Sequence, residues 1–429
     1  MAFKEVFKSS RTMFLTTVAV TAIGFISSVV TARILGPEGR GLLSGALLIT
    51  TLTSTIASFG LAFSYIYHRG AGHYFAYKKY VVNSAAFIGV LAASLAWASF
   101  YFNKEIELHQ QLMLIVFFSA VAAIQSFFMN LSQMQSSLNF VNLLRFLAVF
   151  LNFIFLIAIY LFFEQVNFKY ILYAQFFVAI ILMLMAAQWA ANNIFTPVAN
   201  SYPPRASLKK LLRYAFNQHG TVMVGTALTN FDKIYLLKVG TMAEFGFYSV
   251  AFLTSRLIGA IQEALNTALY SKFAGKDEKE LSHNVGIAFR MTFLPMILIA
   301  LIGAAFSPWF IPLVYGEKFS PMVVTFIILL FECVVSGAGW TLAQRFNAAG
   351  RPGLVLIRQL VSVIPVVICL PVLPRENISV YLSLLMLLAA ILRLLITLAI
   401  YPTVLKEPIP RLVPYREDMK KLITRLRSQ

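Results

Sequence analysis

Apolar runs of about 20 residues recur along the whole chain and limit the folds open to it. A helix needs about 20 apolar residues to cross a bilayer core about 30 Å thick. We find about twelve such runs, near 12–34, 41–67, 80–102, 111–134, 146–163, 170–192, 214–239, 246–271, 287–314, 321–344, 353–373 and 378–400. They are continuous rather than alternating, which favours helices over barrel strands. The sequence therefore predicts an all-α integral membrane protein with about 12 transmembrane helices.

Composition agrees with this fold class. Hydrophobic residues make up 59% of the 429 residues and charged residues only 12%, against about 25% charged in soluble domains. The net charge of +18 is spread over short loops, so we predict no nucleic-acid partner. No metal-ligand spacing and no phosphate-binding glycine loop occurs in the sequence. External loops of roughly 5 to 11 residues hold no acid/base pair, so we predict a non-enzyme without a cofactor.

Basic residues predict the orientation in the membrane. With the N-terminus placed inside, 25 of the 35 Lys and Arg lie on the inner side and 8 on the outer side, and Arg256 and Arg393 fall within helices. The positive-inside rule then places both termini in the cytoplasm. The basic tail from Arg416 to Gln429 is expected on the anionic inner leaflet. The stretch from Ser207 to Arg213 has the pattern of a capped amphipathic helix and is expected at the membrane interface.

An internal repeat predicts the domain organisation. An offset of 205 residues pairs Thr21 with Thr226, Arg33 with Lys238 and Gly41 with Gly246. Two repeats of six helices enter the membrane from the same side, which is a parallel repeat. We therefore predict a six-helix bundle over 1–195, a cytoplasmic linker with an interfacial helix over 196–213, a second six-helix bundle over 214–402 and a tail over 403–429. The paired glycines are interpreted as turns, and Arg33 and Lys238 as outer anchors.

Three motifs carry a resemblance to a known family. They are ARILGPEGRGLLSGALL from Ala32, the segment from Asn230 to Gly240 continuing into Glu244–Ala251, and PLVYGEKF from Pro312. The chain resembles the polysaccharide transporter family of the O-antigen flippase type, within the multidrug/oligosaccharidyl-lipid/polysaccharide exporter superfamily.

The resemblance implies a MATE-like transporter fold and a function. It implies that the chain moves a polyprenyl-diphosphate-linked oligosaccharide, of the undecaprenyl type, across the bacterial cytoplasmic membrane. It further implies alternating access coupled to H⁺ or Na⁺, with polysaccharide polymerases or glycosyltransferases as neighbouring partners. The family supplies no binding signature that transfers residue by residue, so sites must come from the chain itself.

Intramembrane charges are the candidate site residues, because such groups are costly in lipid unless paired or hydrated. The second repeat carries Asp232, Lys233, Arg256 and Glu263 where the first has Ser27, Ser28, Thr51 and Ser58. At 1.5 Å per residue, Asp232 and Arg256 lie about 12 and 15 Å below the outer end of their helices. Two interpretations stay open: an Asp232–Arg256 pair that locks two helices, or a cationic diphosphate site with a carboxylate that titrates.

The candidates fall into three groups by role. For the diphosphate and cavity they are Arg256, Lys233, Arg33 and Asn266; for ion coupling Asp232, Glu263 and Glu332; and as secondary cavity residues Arg393, Gln218, Gln125 and Asn130. Glu332 and Arg393 are expected to pair or to line the cavity. Gln125 and Asn130 could contact sugar hydroxyls or make interhelical hydrogen bonds.

Other functions remain as alternatives. A proton- or sodium-coupled multidrug exporter of the same superfamily would favour an apolar or acidic cavity, which Arg256 opposes. A membrane polysaccharide polymerase or ligase would need catalytic groups on a long external loop, and no such loop occurs.

Overall fold

The structure, a computed structural model, describes residues 2–101, 105–134, 139–194, 206–273 and 278–412. Its long elements are all helices: α1 (Ala2–Ala57), α2 (Leu61–Gly70), α3 (Tyr77–Ser99), α4 (Ile106–Gln110), α5 (Leu112–Leu131), α6 (Asn139–Phe162), α7 (Phe168–Asn193), α8 (Leu208–Val239), α9 (Met242–Phe273), α10 (Glu278–Tyr315), α11 (Val323–Ala348), α12 (Pro352–Cys369) and α13 (Ile378–Ile400). The all-helical fold class is confirmed.

A break inside α1 separates the first two predicted spans. Gly36 takes a left-handed φ of 67° and is followed by Pro37, whose missing N–H and ring interrupt a helix. In the second repeat, α8 ends at Val239 and α9 starts at Met242, the position 205 residues after Pro37. Both repeats therefore break a long helix at the same place.

Nine helical stretches within the described part of the chain are long and apolar enough to cross a membrane, the first of them Thr16–Ala57 with its internal break. The chain is thus a multi-pass membrane protein. The predicted spans at 214–239 and 246–271 correspond to α8 and α9, 32 residues each, which are absent from the nine. These helices carry the polar stripes that lower their hydropathy, and the count of twelve stays a prediction.

Contacts divide the chain into two compact units, Met1–Gly246 and Phe247–Gln429. In the first unit, one buried cluster forms around Tyr65 and Phe127 and another around Leu43 and Ile115. In the second unit a cluster forms around Phe289, where α10, α11 and the end of α13 meet. The predicted division at residues 195 and 214 into two six-helix bundles stays a prediction.

Gly41 and Gly246 lie within helices rather than in turns, so that interpretation is wrong. A Cβ added at Gly41 would lie 1.8 Å from the carbonyl oxygen of Met242, and one added at Gly246 would lie 2.0 Å from that of Pro37. Each added Cβ would also lie 3.1 Å from the backbone nitrogen of the other glycine. Met242 and Pro37 are themselves repeat equivalents, so the contact is reciprocal. The glycines are needed because two helix backbones touch there.

The linker and tail are described only in part. Ser207 caps α8, its hydroxyl accepting from the Lys210 backbone N–H at 3.4 Å, which confirms the predicted cap. Residues 208–213 continue into the rest of α8, and their place at the membrane interface stays a prediction. Residues 195–205 and 413–429, and so most of the predicted linker and basic tail, lie outside the described residues.

Candidate functional site

Arg256, Glu332 and Arg393 meet inside the second unit. The Arg256 Nη2 atom lies 2.7 Å from Glu332 Oε2, and the Arg393 Nη2 atom lies 3.6 Å from Glu332 Oε1. Three different helices, α9, α11 and α13, contribute these side chains. The predicted pairing of Glu332 with Arg393 is confirmed. The carboxylate that contacts Arg256 in this unit is Glu332, whereas the Asp232–Arg256 pair stays a prediction.

Close packing of α9 on α11 sets the geometry of the pair. A Cβ added at Gly259 would lie 2.7 Å from the Cys333 sulfur, so the missing side chain lets α11 approach one turn beyond Arg256. Within α9, the guanidinium of Arg256 lies over the Phe252 ring, 4.4 Å from its centroid. A cation on an aromatic face is stabilised by the ring quadrupole. Arg256 is therefore held between a carboxylate and a ring.

A third arginine, which sequence reasoning did not single out, lies beside this cluster. Arg358 of α12 is 1% exposed and donates from Nη1 to the Gly339 carbonyl and the Thr397 hydroxyl, both at 3.0 Å. Its guanidinium lies 5.0 Å from the Trp340 ring centroid. Its charge repels that of Arg393. No carboxylate of the described residues forms an ion pair with Arg358.

The sequence did hold a signal for Arg358. It is the only charged residue within the apolar run 353–373, and an isolated charge in such a run marks a functional or paired group. Its position near the start of that run placed it among the basic residues counted on the inner side, yet α12 buries the side chain against α11 and α13.

Charge is unbalanced in this region. Arg256 and Arg393 contact the same carboxylate, Glu332, and Arg358 lies near Arg393. These four side chains together carry two more positive charges than negative ones. The Arg256 side chain is 33% exposed, that of Arg393 15%, and that of Glu332 2%. Glu332 is thus the buried counter-ion, and Arg256 is the cation with the larger exposed fraction. An arginine fork with spare donors suits a phosphate or carboxylate ligand.

Depth agrees with a site near the middle of the bilayer. Glu332 lies nine residues from the start of α11, about 14 Å along the helix axis, and Arg393 lies about 22 Å from the start of α13. Arg256 lies about 21 Å from the start of α9. Under the predicted topology, the cluster therefore lies well inside a core about 30 Å thick.

The polar side chains of α9 from Arg256 to Asn266 form a stripe that divides between two environments. Arg256 and Gly259 face α11, whereas Glu263 is exposed. Asn266 is half-buried, and its Oδ1 accepts no hydrogen bond from the described residues. The nearby Gln262 amide donates to the Val334 carbonyl at 3.3 Å. Only part of the stripe therefore belongs to the cluster.

The remaining candidates lie in the first unit. Asp232 is fully buried in α8, and Lys233 bonds along the helix to the Thr229 carbonyl at 3.3 Å. Arg33 is exposed on α1. Gln218 and Gln125 are half-buried, and Asn130 accepts from Gln133 at 3.0 Å within its own helix end. Their predicted roles in binding and coupling stay predictions.

Comparisons with solved structures place the fold among known transporters. One match is an inward-facing multidrug resistance MATE family transporter of the MOP superfamily, with a TM-score of 0.63 and 13% identity over 88% of this chain and 93% of that chain. A second is the lipid II flippase MurJ in an inward closed conformation, with a TM-score of 0.61 and 11% identity over 89% and 86%. A third is a MOP superfamily transporter from Pyrococcus furiosus, described by the reverse polarity of its binding pocket, with a TM-score of 0.58 and 13% identity over 92% and 94%.

These likenesses confirm the predicted MATE-like fold. A comparison with curated proteins finds no match to this chain. The family model described as polysaccharide biosynthesis protein matches residues 30–324, which is more than half of the chain. The three motifs that carried the resemblance begin within this range. The chain therefore belongs to the polysaccharide biosynthesis protein family, on the fold of the MOP superfamily transporters.

Proposed function

We propose that the protein is a flippase that moves a polyprenyl-diphosphate-linked oligosaccharide from the inner to the outer leaflet of the bacterial cytoplasmic membrane. The observation that carries the proposal is the excess of cationic side chains around Glu332, with Arg256 partly exposed beside it. A diphosphate brings negative charge into the bilayer core, where a compensating cation is needed. The family assignment to polysaccharide biosynthesis and the MurJ-like fold point to the same ligand class.

In this mechanism the arginines bind the diphosphate, and a conformational change of the transporter carries it across the membrane. Arg256 donates its fork to a phosphate oxygen, Arg393 adds charge from the opposite helix, and Glu332 keeps both side chains in place. The sugar needs polar partners, and Asn266 is a candidate for one in the second unit. No bond of the substrate is broken, so the protein acts as a transporter rather than an enzyme.

Export measured with matched variants tests the phosphate role. Arg256→Ala should abolish surface glycan while protein level in the membrane is kept. Arg256→Lys should retain part of the export, because the charge survives and the fork geometry is lost. Arg375 is an exposed arginine between α12 and α13, so Arg375→Ala serves as the control and should export normally. Normal export by Arg256→Ala would refute the phosphate role.

Ion coupling is assigned to the carboxylates outside the arginine cluster. Glu332 forms ion pairs with two arginines, so we assign it the role of their counter-ion. The buried Asp232 of the first unit is the better candidate, with Glu263 as the exposed one. In proteoliposomes, Asp232→Asn should abolish transport driven by a H⁺ or Na⁺ gradient but keep gradient-free exchange. Loss of both would place Asp232 in substrate binding instead.

Drug exporters share this fold, and a drug-resistance assay on the same variants distinguishes a drug exporter from a flippase. A cationic drug would be repelled by the Arg256 cluster, so the flippase variants should show unchanged drug resistance. If Arg256→Ala lowers drug resistance while surface glycan stays normal, and Arg375→Ala does not, the drug-exporter function is favoured.

A further inference from the structure

A groove in the first unit lies far from the arginine cluster in sequence and has a different chemistry. It encloses about 910 Å³ between the break before α2, the first three turns of α3 and the start of α8. Rings line its floor, with Phe59 packing edge-on against Phe87 at a centroid distance of 6.0 Å. Leu212 of α8 forms part of the opposite wall. The volume falls within the range of pockets that hold small ligands.

Polarity changes in one direction along this groove. Lys79, Asn83 and Phe87 line it from α3 at spacings of four residues, which places them on one helix face. Lys79 is in the first turn of the candidate membrane span Tyr77–Ser99. Phe87 lies about 12 Å deeper along the helix axis. From the helix start inwards, a ligand would meet a cation, an amide and then an aromatic floor.

Charge at the mouth of the groove has one sign. Lys79 lines the groove and is exposed. Lys209 and Arg213 are exposed in the first turns of α8, beside the lining residues Leu208 and Leu212, and Lys210 bonds to the His73 ring at 3.1 Å. Neither residues 58–84 nor residues 206–220 contain an Asp or Glu. A basic loop by itself is ordinary at a cytoplasmic membrane surface. Here the basic residues adjoin a groove that becomes more apolar with depth. This combination is complementary to an amphiphile with an anionic head group.

We propose that this groove binds one anionic phospholipid of the surrounding leaflet. The lipid phosphate contacts Lys79, the polar glycerol region reaches Asn83, and one acyl chain packs on Phe87 and Phe59. The predicted orientation puts the groove at the cytoplasmic leaflet, where anionic lipids attract basic side chains by about fivefold in binding per Lys or Arg. The site is independent of the proposed flippase function, because none of its residues belongs to the arginine cluster.

Lipid retention by the purified full-length protein tests the site. Protein equilibrated with equal amounts of dioleoylphosphatidylglycerol and dioleoylphosphatidylcholine in detergent is measured by native mass spectrometry. The wild type should keep one phosphatidylglycerol in preference to phosphatidylcholine, and Lys79→Ala should reduce that preference about fivefold. Lys78 is equally charged and exposed but does not line the groove, so Lys78→Ala should leave the preference intact.

A second variant tests the groove itself. Asn83→Trp keeps Lys79 and fills the middle of the groove from an exposed position, so it should abolish retention of both lipids at an unchanged melting temperature. Equal loss in Lys78→Ala and Lys79→Ala would reduce the effect to general surface charge and overturn the proposal. So would equal retention of the two lipids by the wild type. Displacement of phosphatidylglycerol by undecaprenyl phosphate, but not by phosphatidylcholine, would assign the groove to a polyprenyl ligand and also overturn it.

Discussion

Replacement of Glu332 by Gln isolates the counter-ion of the arginine cluster. The side chain is 2% exposed and lies 2.7 Å from Arg256 and 3.6 Å from Arg393. Gln has nearly the same shape, so the change removes charge with little change in packing. The excess around the site rises from two positive charges to three.

The loss in free energy of unfolding caused by Glu332→Gln follows from the burial of the side chain and its distances to the two arginines. Two unit charges about 4 Å apart attract by about 4 kcal/mol at an effective dielectric constant near 20. Removal of one partner of a buried pair costs about 3–5 kcal/mol, because the remaining charge is left uncompensated. Arg256 can turn its fork towards open space, whereas Arg393 is more enclosed. We therefore expect Glu332→Gln to cost about 3 kcal/mol, the lower end of that range.

Unfolding in mixed micelles of SDS and a mild detergent measures this free energy. A double-mutant cycle with Arg256→Gln should return about 1–3 kcal/mol of coupling, because the double variant restores the wild-type charge excess. Glu317 is an exposed carboxylate of the same unit, and Glu317→Gln should change stability by less than about 0.5 kcal/mol. A Glu332→Gln protein as stable as the wild type, or a cycle without coupling, would refute the counter-ion role.

Three further predictions concern packing, hydrogen bonding and topology. Gly41→Ala should destabilise the first unit by about 1–3 kcal/mol, since its Cβ would meet the backbone of α9. A Cβ added at Gly24 has no atom within 4 Å, so Gly24→Ala should stabilise the protein by about 0.5–1 kcal/mol in the same unfolding assay. Equal effects of the two variants would contradict the close contact between α1 and α9 at Gly41. Thr397→Val removes an acceptor of the buried arginine of α12 and should cost about 1–3 kcal/mol, whereas Thr403→Val, on an exposed side chain, should cost less than about 0.5 kcal/mol. A periplasm-active phosphatase fused at Gly72 should be inactive and a fluorescent protein there should be bright; the reverse would invert the predicted topology.

Periodicity and composition predicted the fold class because lipid imposes a simple rule. Backbone groups must be satisfied inside each segment, so long apolar runs become helices whatever their neighbours. The repeat predicted the matched breaks at Pro37 and Met242 for a similar reason, since equal local sequences make equal local structure. Its glycines were misinterpreted as turns because a glycine at a helix crossing and one in a turn look alike in sequence. The left-handed position is Gly36 instead.

The sequence by itself determined that this is a multi-pass helical membrane protein, that it repeats, and that Arg256, Glu332 and Arg393 are unusual residues for their environment. Only the tertiary structure decided which charges meet. Pairing depends on rotation and distance between helices far apart in the chain, and the missing Cβ at Gly259 permits the close approach of α9 and α11. Arg358 shows the same limit, because its burial and its bond to Thr397 arise from α12 packing against α13. The excess of positive charge is therefore a property of the packed helices of the second unit.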